Sequence, residues 1–302
     1  MTQNKSISLR NNFLQLNPAG YNINIYGIAI KYPKKNLVIH YEITCTFLKR
    51  ISSTSFLLTL NRQQVFINNK PPANKLYNMA SEMAACLYPV TIEIGGENKI
   101  LSVVNHDEII TRSKKAIEKI SAYYKGEAAE ECILQFQKHC SNPKTIIAAL
   151  ETDLFYKLLF LPLHTQYTAT LTTGFATTFS FGGKKMPLPV TVTLMPQYNE
   201  KGKLVANVHG QKDDAGFTAQ YQLYPEDHTV FFIAGAATYP ENGNTKGNME
   251  FEVHHINTEE RIIYKAASFA KDQDSTHNKE RVSLLMEEEA QPRKRGFWNK
   301  FR

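Results

Sequence analysis

The stretch YPVTIEIGGENKILSVVNHDEIITRSKKAIEKISAYY, residues 88–124, decides the fold. Val90, Ile92 and Ile94 alternate with Thr91 and Glu93, the period of a strand with one buried face. Gly95-Gly96 reads as a tight hairpin turn, because glycine enters the backbone dihedrals such turns need. Ile100 to Val104 reads as the returning strand. Asn105 stands where a helix N-cap belongs, with Glu108 three positions on to return the capping bond. Asp107 and Glu108 fall in the first turn, where the helix dipole favours negative charge. Ile109, Ile110, Ser113, Ile117, Ile120 and Tyr124 follow at helical spacing and predict one buried stripe. Gly126 reads as the left-handed residue that ends the helix.

Working outward, residues 1–20 are polar apart from Phe13, Leu14 and Leu16, and read as an edge strand or a loose arm. Three long alternating strands follow, over 21–32, 37–48 and 55–67, with Pro33-Lys34-Lys35-Asn36 as the first turn. Such lengths suggest a broad, curled sheet. Pro71-Pro72 stops the third strand, and Leu76, Met79, Met83 and Leu87 predict a short helix over 75–87. Downstream, Ala129, Ile133, Phe136 and Cys140 mark a second long helix from Glu127. Asn142-Pro143 opens a third, with Ile146, Ile147, Leu150, Leu154 and Leu158 as its apolar face. From 165 to 269 turn clusters recur at Gly182-Gly183, 199–202, 213–216, 225–227 and 242–247, which is the pattern of an antiparallel meander of about seven strands.

The predicted class is therefore α+β. A broad antiparallel sheet, curled or half-barrel-like, packs on a central block of three to four helices. Residues 1–270 form a single domain: a β-rich part (21–67), a helix and hairpin block (75–160) and a meander (165–269). Residues 271–302 form a linker and a flexible basic tail, in which 280–289 reads as a short helix.

Hydrophobic residues make up 42% of the 302, enough to build a substantial core. The net charge is +7, but Arg293, Lys294, Arg295, Lys300 and Arg302 carry +5 of it within ten acid-free residues, leaving about +2 for the rest. The folded body is thus no basic platform, and nucleic acid is a poor partner for it. No secretory signal is read at the N-terminus, the apolar run 154–163 is too short to span a bilayer, and Cys45, Cys86, Cys132 and Cys140 show no paired spacing. These features predict a cytoplasmic protein, with the inner membrane face as a possible site of peripheral attachment.

Motifs that would carry chemistry are missing from the sequence. There is no phosphate-cradling loop and no G-x-S-x-G. His254-His255 would point to opposite faces of a strand, and His139-Cys140 diverge on a helix, so neither pair suits a metal. Cys86, Cys132 and Cys140 lie on or beside apolar stripes and read as packing. Asp213-Asp214 and Glu226-Asp227 read as turn residues. No catalytic residue, cofactor or metal is predicted.

The tail is the exception. Its five cations are interleaved with Phe297, Trp298 and Phe301. That composition suits docking on a protein partner or an anionic membrane surface. In architecture, a broad sheet curled around a few helices resembles the half-barrel carriers of lipoproteins and lipids. This resemblance implies a carrier, with Leu154 to Leu163, Phe175 to Phe181 and Val230 to Ile233 lining a small apolar ligand. The leading expectation is instead a non-enzymatic adaptor or assembly component that docks through residues 293–302. The apolar-ligand carrier comes second and an enzyme of unrecognised type third.

Overall fold

The computed structural model describes residues 6–7, 9–16, 22–72, 74–181, 184–241 and 245–256. Among them are twelve strands in one antiparallel sheet and five α-helices. The first half of the sheet comprises β1 (Asn22–Tyr32), β2 (Leu37–Arg50), β3 (Phe56–Arg62), β4 (Phe66–Ile67), β5 (Val90–Ile94) and β6 (Ile100–Val103). The second half comprises β7 (Thr172–Phe181), β8 (Lys184–Leu194), β9 (Leu204–Lys212), β10 (Ala215–Leu223), β11 (Val230–Pro240) and β12 (Lys246–His255). The halves join where β1 pairs with β12, Ile28 facing Val253. The order is β6-β5-β3-β2-β1-β12-β11-β10-β9-β8-β7, with β4 paired to β2.

The helices are α1 (Lys75–Ala85), α2 (His106–Tyr123), α3 (Glu127–Ser141), α4 (Pro143–Thr152) and α5 (Leu154–Leu159). Helix α4 touches both β6 and β7, the two edge strands, so the open sheet is curled and its edges meet a common helix. Helix α5 lies in the concavity. The Tyr221 hydroxyl of β10 donates to the Leu158 carbonyl at 3.0 Å, and the Tyr156 hydroxyl donates to the Asn98 carbonyl, in the β5–β6 turn, at 3.2 Å. Tyr26 of β1 meets Phe155 with ring centroids 5.9 Å apart. One short helix is thus tied to both halves of the sheet.

An aromatic column fills the second half of the interior. Phe217 stacks on Phe179 at 4.3 Å and on Phe251 at 5.6 Å, and Phe181 stacks on Phe179 and Tyr239. Every second residue of β10 and β12 points inward, and Phe179 and Phe181 of β7 and Tyr239 of β11 join them. Each ring removes about 150–250 Å2 from water, which makes these rings the largest contributors to this part of the core.

Several boundaries differ from the reading of the sequence. The third strand is divided into β3 and β4. Gly95-Gly96 does not form a two-residue turn: a 3-10 turn over Gly96–Asn98 connects β5 to β6, and Asn98 takes the left-handed conformation at φ 58°. Asparagine enters that region more readily than most residues, and here its Nδ2 donates to the Leu161 carbonyl at 3.2 Å. Asn105 does occupy the N-cap of α2, but its side chain does not cap the helix. Its Oδ1 accepts from the Thr91 N–H at 2.8 Å and its Nδ2 donates to the Pro89 carbonyl at 2.9 Å and to Glu108 at 3.2 Å. The amide fastens the helix start to β5. Gly126 has φ 105°, yet it precedes α3 as its N-cap, while α2 ends at Tyr124 in an extended conformation. The third helix is two, because Asp153 leaves the helical region and caps α5 through the Tyr156 N–H at 3.0 Å. Leu76 was expected on the buried stripe of α1 and is 56% exposed. The N-terminal arm is packed by Leu14 and Leu16, while Phe13 is exposed. The meander shows six described strands. The Gly182-Gly183 turn, the expected strand over 262–269 and the expected helix over 280–289 lie outside the described residues.

The helical block does not pack on the sheet as one unit. Helices α4 and α5 enter the main core, as does Ile109 at the start of α2. The rest of α2, with α1 and α3, forms a separate small core of Met79, Met83, Ile120 and Ile133. The short β6 and the helix-to-helix contacts leave this layer on the outside of the molecule.

Candidate functional site

The residues expected to line a ligand cavity are in contact with one another instead. Phe155, Leu158, Leu161, Leu163, Phe179, Phe181, Val230 and Ile233 are all buried in one continuous cluster, with Phe175 packed at its margin. The concave face is occupied by α5 and by the aromatic column.

Polar side chains in that interior serve as fasteners. The Tyr224 hydroxyl lies 2.7 Å from His255 Nδ1, and Tyr26 donates to the Val230 carbonyl at 3.2 Å. Asp227, in the β10–β11 turn, accepts from the Thr229 N–H at 3.0 Å and from its hydroxyl at 2.8 Å, so this carboxylate builds the turn. His164 Nε2 lies 3.1 Å from the His228 carbonyl, and His228 Nδ1 lies 2.7 Å from the Gln15 carbonyl. Facing a carbonyl, each of these ring nitrogens is the protonated donor. The chain of bonds joins the N-terminal arm, the segment after α5 and the β10–β11 turn. His164 is half-buried, but its Nδ1 is shielded and has no hydrogen-bond partner. Burial pushes its pKa down to about 4, partly opposed by the bond to His228, so it is neutral near pH 7.

A second group of titratable side chains gathers where α5 meets β2 and β3. The Arg62 guanidinium lies 4.9 Å from the Tyr88 ring centroid and 5.9 Å from that of Tyr41. Burial raises Asp153, with the Tyr156 N–H and Arg62 opposing it, and burial pushes Tyr88 up to about 12. Asp153 is engaged as a cap and Arg62 as a stacking cation. The arrangement stabilises the α4–α5 break.

The outer helical layer is different in character. Of the nine exposed large hydrophobics among the described residues, six (Leu76, Tyr77, Leu101, Val104, Tyr123 and Leu134) belong to α1–α3 or to β6 and its end. Glu82 of α1 pairs with Lys119 of α2 at 3.3 Å, and Arg112 of α2 donates to the Cys86 carbonyl at 3.0 Å. Those two ties set α1 antiparallel to α2 and place the start of α1 beside the end of α2. Leu76, Tyr77 and Tyr123 therefore share one end of the layer, with Tyr123 71% exposed. Lys114 and Lys115 are exposed along α2. At the other end of α2 an open depression of about 400 Å3 is lined by Asp107, Glu108, Thr111 and Arg112. Its arginine is committed to the carbonyls of Cys86, Leu87 and Pro89 and to Glu108. Periodicity alone could not reveal this surface, since exposure of Leu76 and Tyr123 depends on where the layer stands relative to the sheet.

The other residues singled out from the sequence fall as follows. His254 sits on the outer face, 3.1 Å from Glu252, while His255 points inward, so the pair is split between faces. His139 is exposed and Cys140 buried. Cys45 and Cys86 are buried too, but Cys132 is exposed, contrary to the packing reading, because it lies on the outer side of α3. Asp214 pairs with Lys246 at 2.7 Å. Arg293, Lys294, Arg295, Phe297, Trp298, Lys300, Phe301 and Arg302, the predicted docking residues, lie outside the described residues. Among the described residues no helix is long and apolar enough to cross a membrane. No family model matches the chain, and no curated protein is similar to it in sequence.

Proposed function

We propose that this protein is a non-enzymatic assembly component that holds a protein partner through its outer helical layer and its C-terminal segment 293–302. The observation that carries this reading is the contrast between interior and exterior. The concave face is occupied by the protein's own side chains, whereas large apolar residues are exposed on α1–α3 and β6. Leu76, Tyr77 and Tyr123 share one end of this layer, and exposed apolar groups gathered in one place favour an interaction surface. Tyr77 and Tyr123 are residues suited to anchoring a contact, since a ring offers large area at small entropic cost.

The exposed lysines of α2 and the cations of the tail favour a partner with an acidic surface around an apolar spot. A protein fits better than an anionic membrane, because Glu118, Glu127, Glu130 and Glu131 are interspersed with the lysines of the same helices, a mixed charge pattern that a protein surface can match residue by residue and a uniformly anionic headgroup layer cannot. The compartment proposed is the cytoplasm, consistent with four free thiols.

The test compares three chains in co-purification: the full-length natural sequence, full-length Tyr123→Glu, and a chain ending at Gln291. The expected result is one partner bound by the natural chain and weakened at least tenfold by each change. Equal recovery by all three would overturn the proposal. Binding to anionic vesicles without any protein partner would replace it by a membrane role.

A further inference from the structure

We propose that a second copy of this chain docks on the open edge of β7, antiparallel to it about a two-fold axis, so that two sheets become one. Strand β7 ends the sheet and pairs with β8 over its whole length without a bulge, from Thr172 facing Thr193 to Phe181 facing Lys184. Backbone groups of successive residues point to opposite sides of a strand. The Leu194 N–H donates to the Leu171 carbonyl at 2.9 Å, so the odd-numbered residues of β7 face β8. Pro187 and Pro189, which lack the N–H, stand opposite the even-numbered Thr178 and Ala176, as this parity requires. The N–H and carbonyl groups of Gly174, Ala176, Thr178 and Ser180 therefore face away from β8. Among the described residues none of these groups has a hydrogen-bond partner, and α4 reaches β7 without bonding to them. Gly174, Ala176 and Thr178 are exposed, and for a glycine that exposure is the backbone itself.

Sheet edges are usually protected by a charge, a proline, a bulge or a short strand. The other edge, β6, is short, spanning only Ile100–Val103. Strand β7, TTGFATTFSF, has none of these devices. Its exposed row of glycine, alanine and threonine offers neither a charge nor a pocket to select a foreign sequence. Recognition there rests on main-chain spacing and small side chains, which a second β7 reproduces. A two-fold axis makes such a contact self-complementary and closed. The chain outside 293–302 carries only about +2, so two bodies repel each other little. Pairing Ala176 with Thr178 of the second copy, and Gly174 with its Ser180, uses every open group. It forms eight hydrogen bonds, one donor and one acceptor coming from each of four residues per copy, close to the ~10 of a typical protein interface. Thr177 then faces its own counterpart, and Phe175, half-buried at the margin of the core, is covered. This edge belongs to neither surface assigned to the protein partner, so its use does not depend on that reading.

The test is sedimentation velocity of the purified full-length chain over a wide range of concentration. The natural chain should pass from monomer to dimer as concentration rises. Ala176→Pro and Thr178→Pro each remove an N–H that β8 does not use, so each takes one donor per copy from the dimer and none from the fold. Circular dichroism verifies that each variant keeps its strands. Either change should weaken the dimer about tenfold or more. A chain that stays monomeric throughout, a dimer that either folded variant leaves intact, or a dimer lost only with Tyr123→Glu would overturn the proposal.

Discussion

Gly235 is a position where the curled sheet leaves no room for a side chain, and replacing it tests the packing of the core. A Cβ added there would press on the backbone oxygen of Thr218 and would lie 2.5 Å from Cζ and 2.8 Å from Cε2 of Phe251. Neither neighbour moves freely. Thr218 is paired on both sides, with Ala236 and His209. Phe251 is stacked on Phe217, and Phe217 on Phe179, so a displaced ring pushes the column. Overpacking a well-filled core costs roughly 1–3 kcal/mol, and two constrained neighbours place Gly235→Ala near the upper end. With a urea m-value of about 3 kcal/mol/M for a chain of this size, the unfolding midpoint should fall by about 1 M. Gly174→Ala is the control, because its nearest neighbour would be the Val190 carbonyl at 3.5 Å, an ordinary contact. That change should be neutral or raise stability by about 0.5–1 kcal/mol, since alanine costs less to order than glycine. Adding Phe251→Leu to Gly235→Ala should recover part of the loss, with a coupling of about 0.5–3 kcal/mol. Equal midpoints for the two alanine variants would refute the tight interior on which the functional reading depends.

Other outcomes follow from single contacts. Tyr221→Phe removes the hydroxyl that holds the Leu158 carbonyl and should cost about 1–3 kcal/mol in urea unfolding, because the carbonyl stays buried. Asn105→Ala strips the Thr91 N–H of its acceptor and should cost a similar ~1–3 kcal/mol, with hydrogen exchange at Thr91 accelerating first. Asn24 is fully buried with neither amide atom hydrogen-bonded, so Asn24→Leu should raise stability by about 1–2 kcal/mol, and a loss would show that the amide has an occupant. His164 supplies the pH dependence. Its pKa falls from 6.5 to about 4 on folding, so between those values the unfolded chain holds the extra proton. Stability contributed by the neutral ring is full above about pH 6.5, declines as pH falls and levels off below about pH 4, a loss of roughly 3 kcal/mol. His164→Gln should flatten that slope, and an unchanged slope would contradict the assignment.

How much of this was legible in the sequence follows from the range of the interactions. Strand alternation exposed β1, β2, β5, β10 and β12, because a half-buried strand writes its facing into every second residue, and turn clusters marked the other strands of the meander. The helix stripes of α2 and α3 were legible for the same reason. Asn105 was read as a cap and is a cross-link, since its best donor is Thr91, on a strand that only the fold places beside it. Gly126 was given to the helix before it, because a positive φ serves either side of the short connection. The division at Asp153 was missed since its apolar neighbours keep helical spacing across the break. The exposed layer depends on how helices assemble, which no local pattern encodes.

The most direct measurement of the central claim is photo-crosslinking inside cells, with a photoreactive phenylalanine derivative at Tyr123 and, as control, at Thr191 on the exposed face of β8. The account predicts one discrete protein adduct from Tyr123, outcompeted by unlabelled natural chain, and none from Thr191. No adduct at Tyr123, or the same diffuse products at both positions, would contradict a docking role for the helical layer.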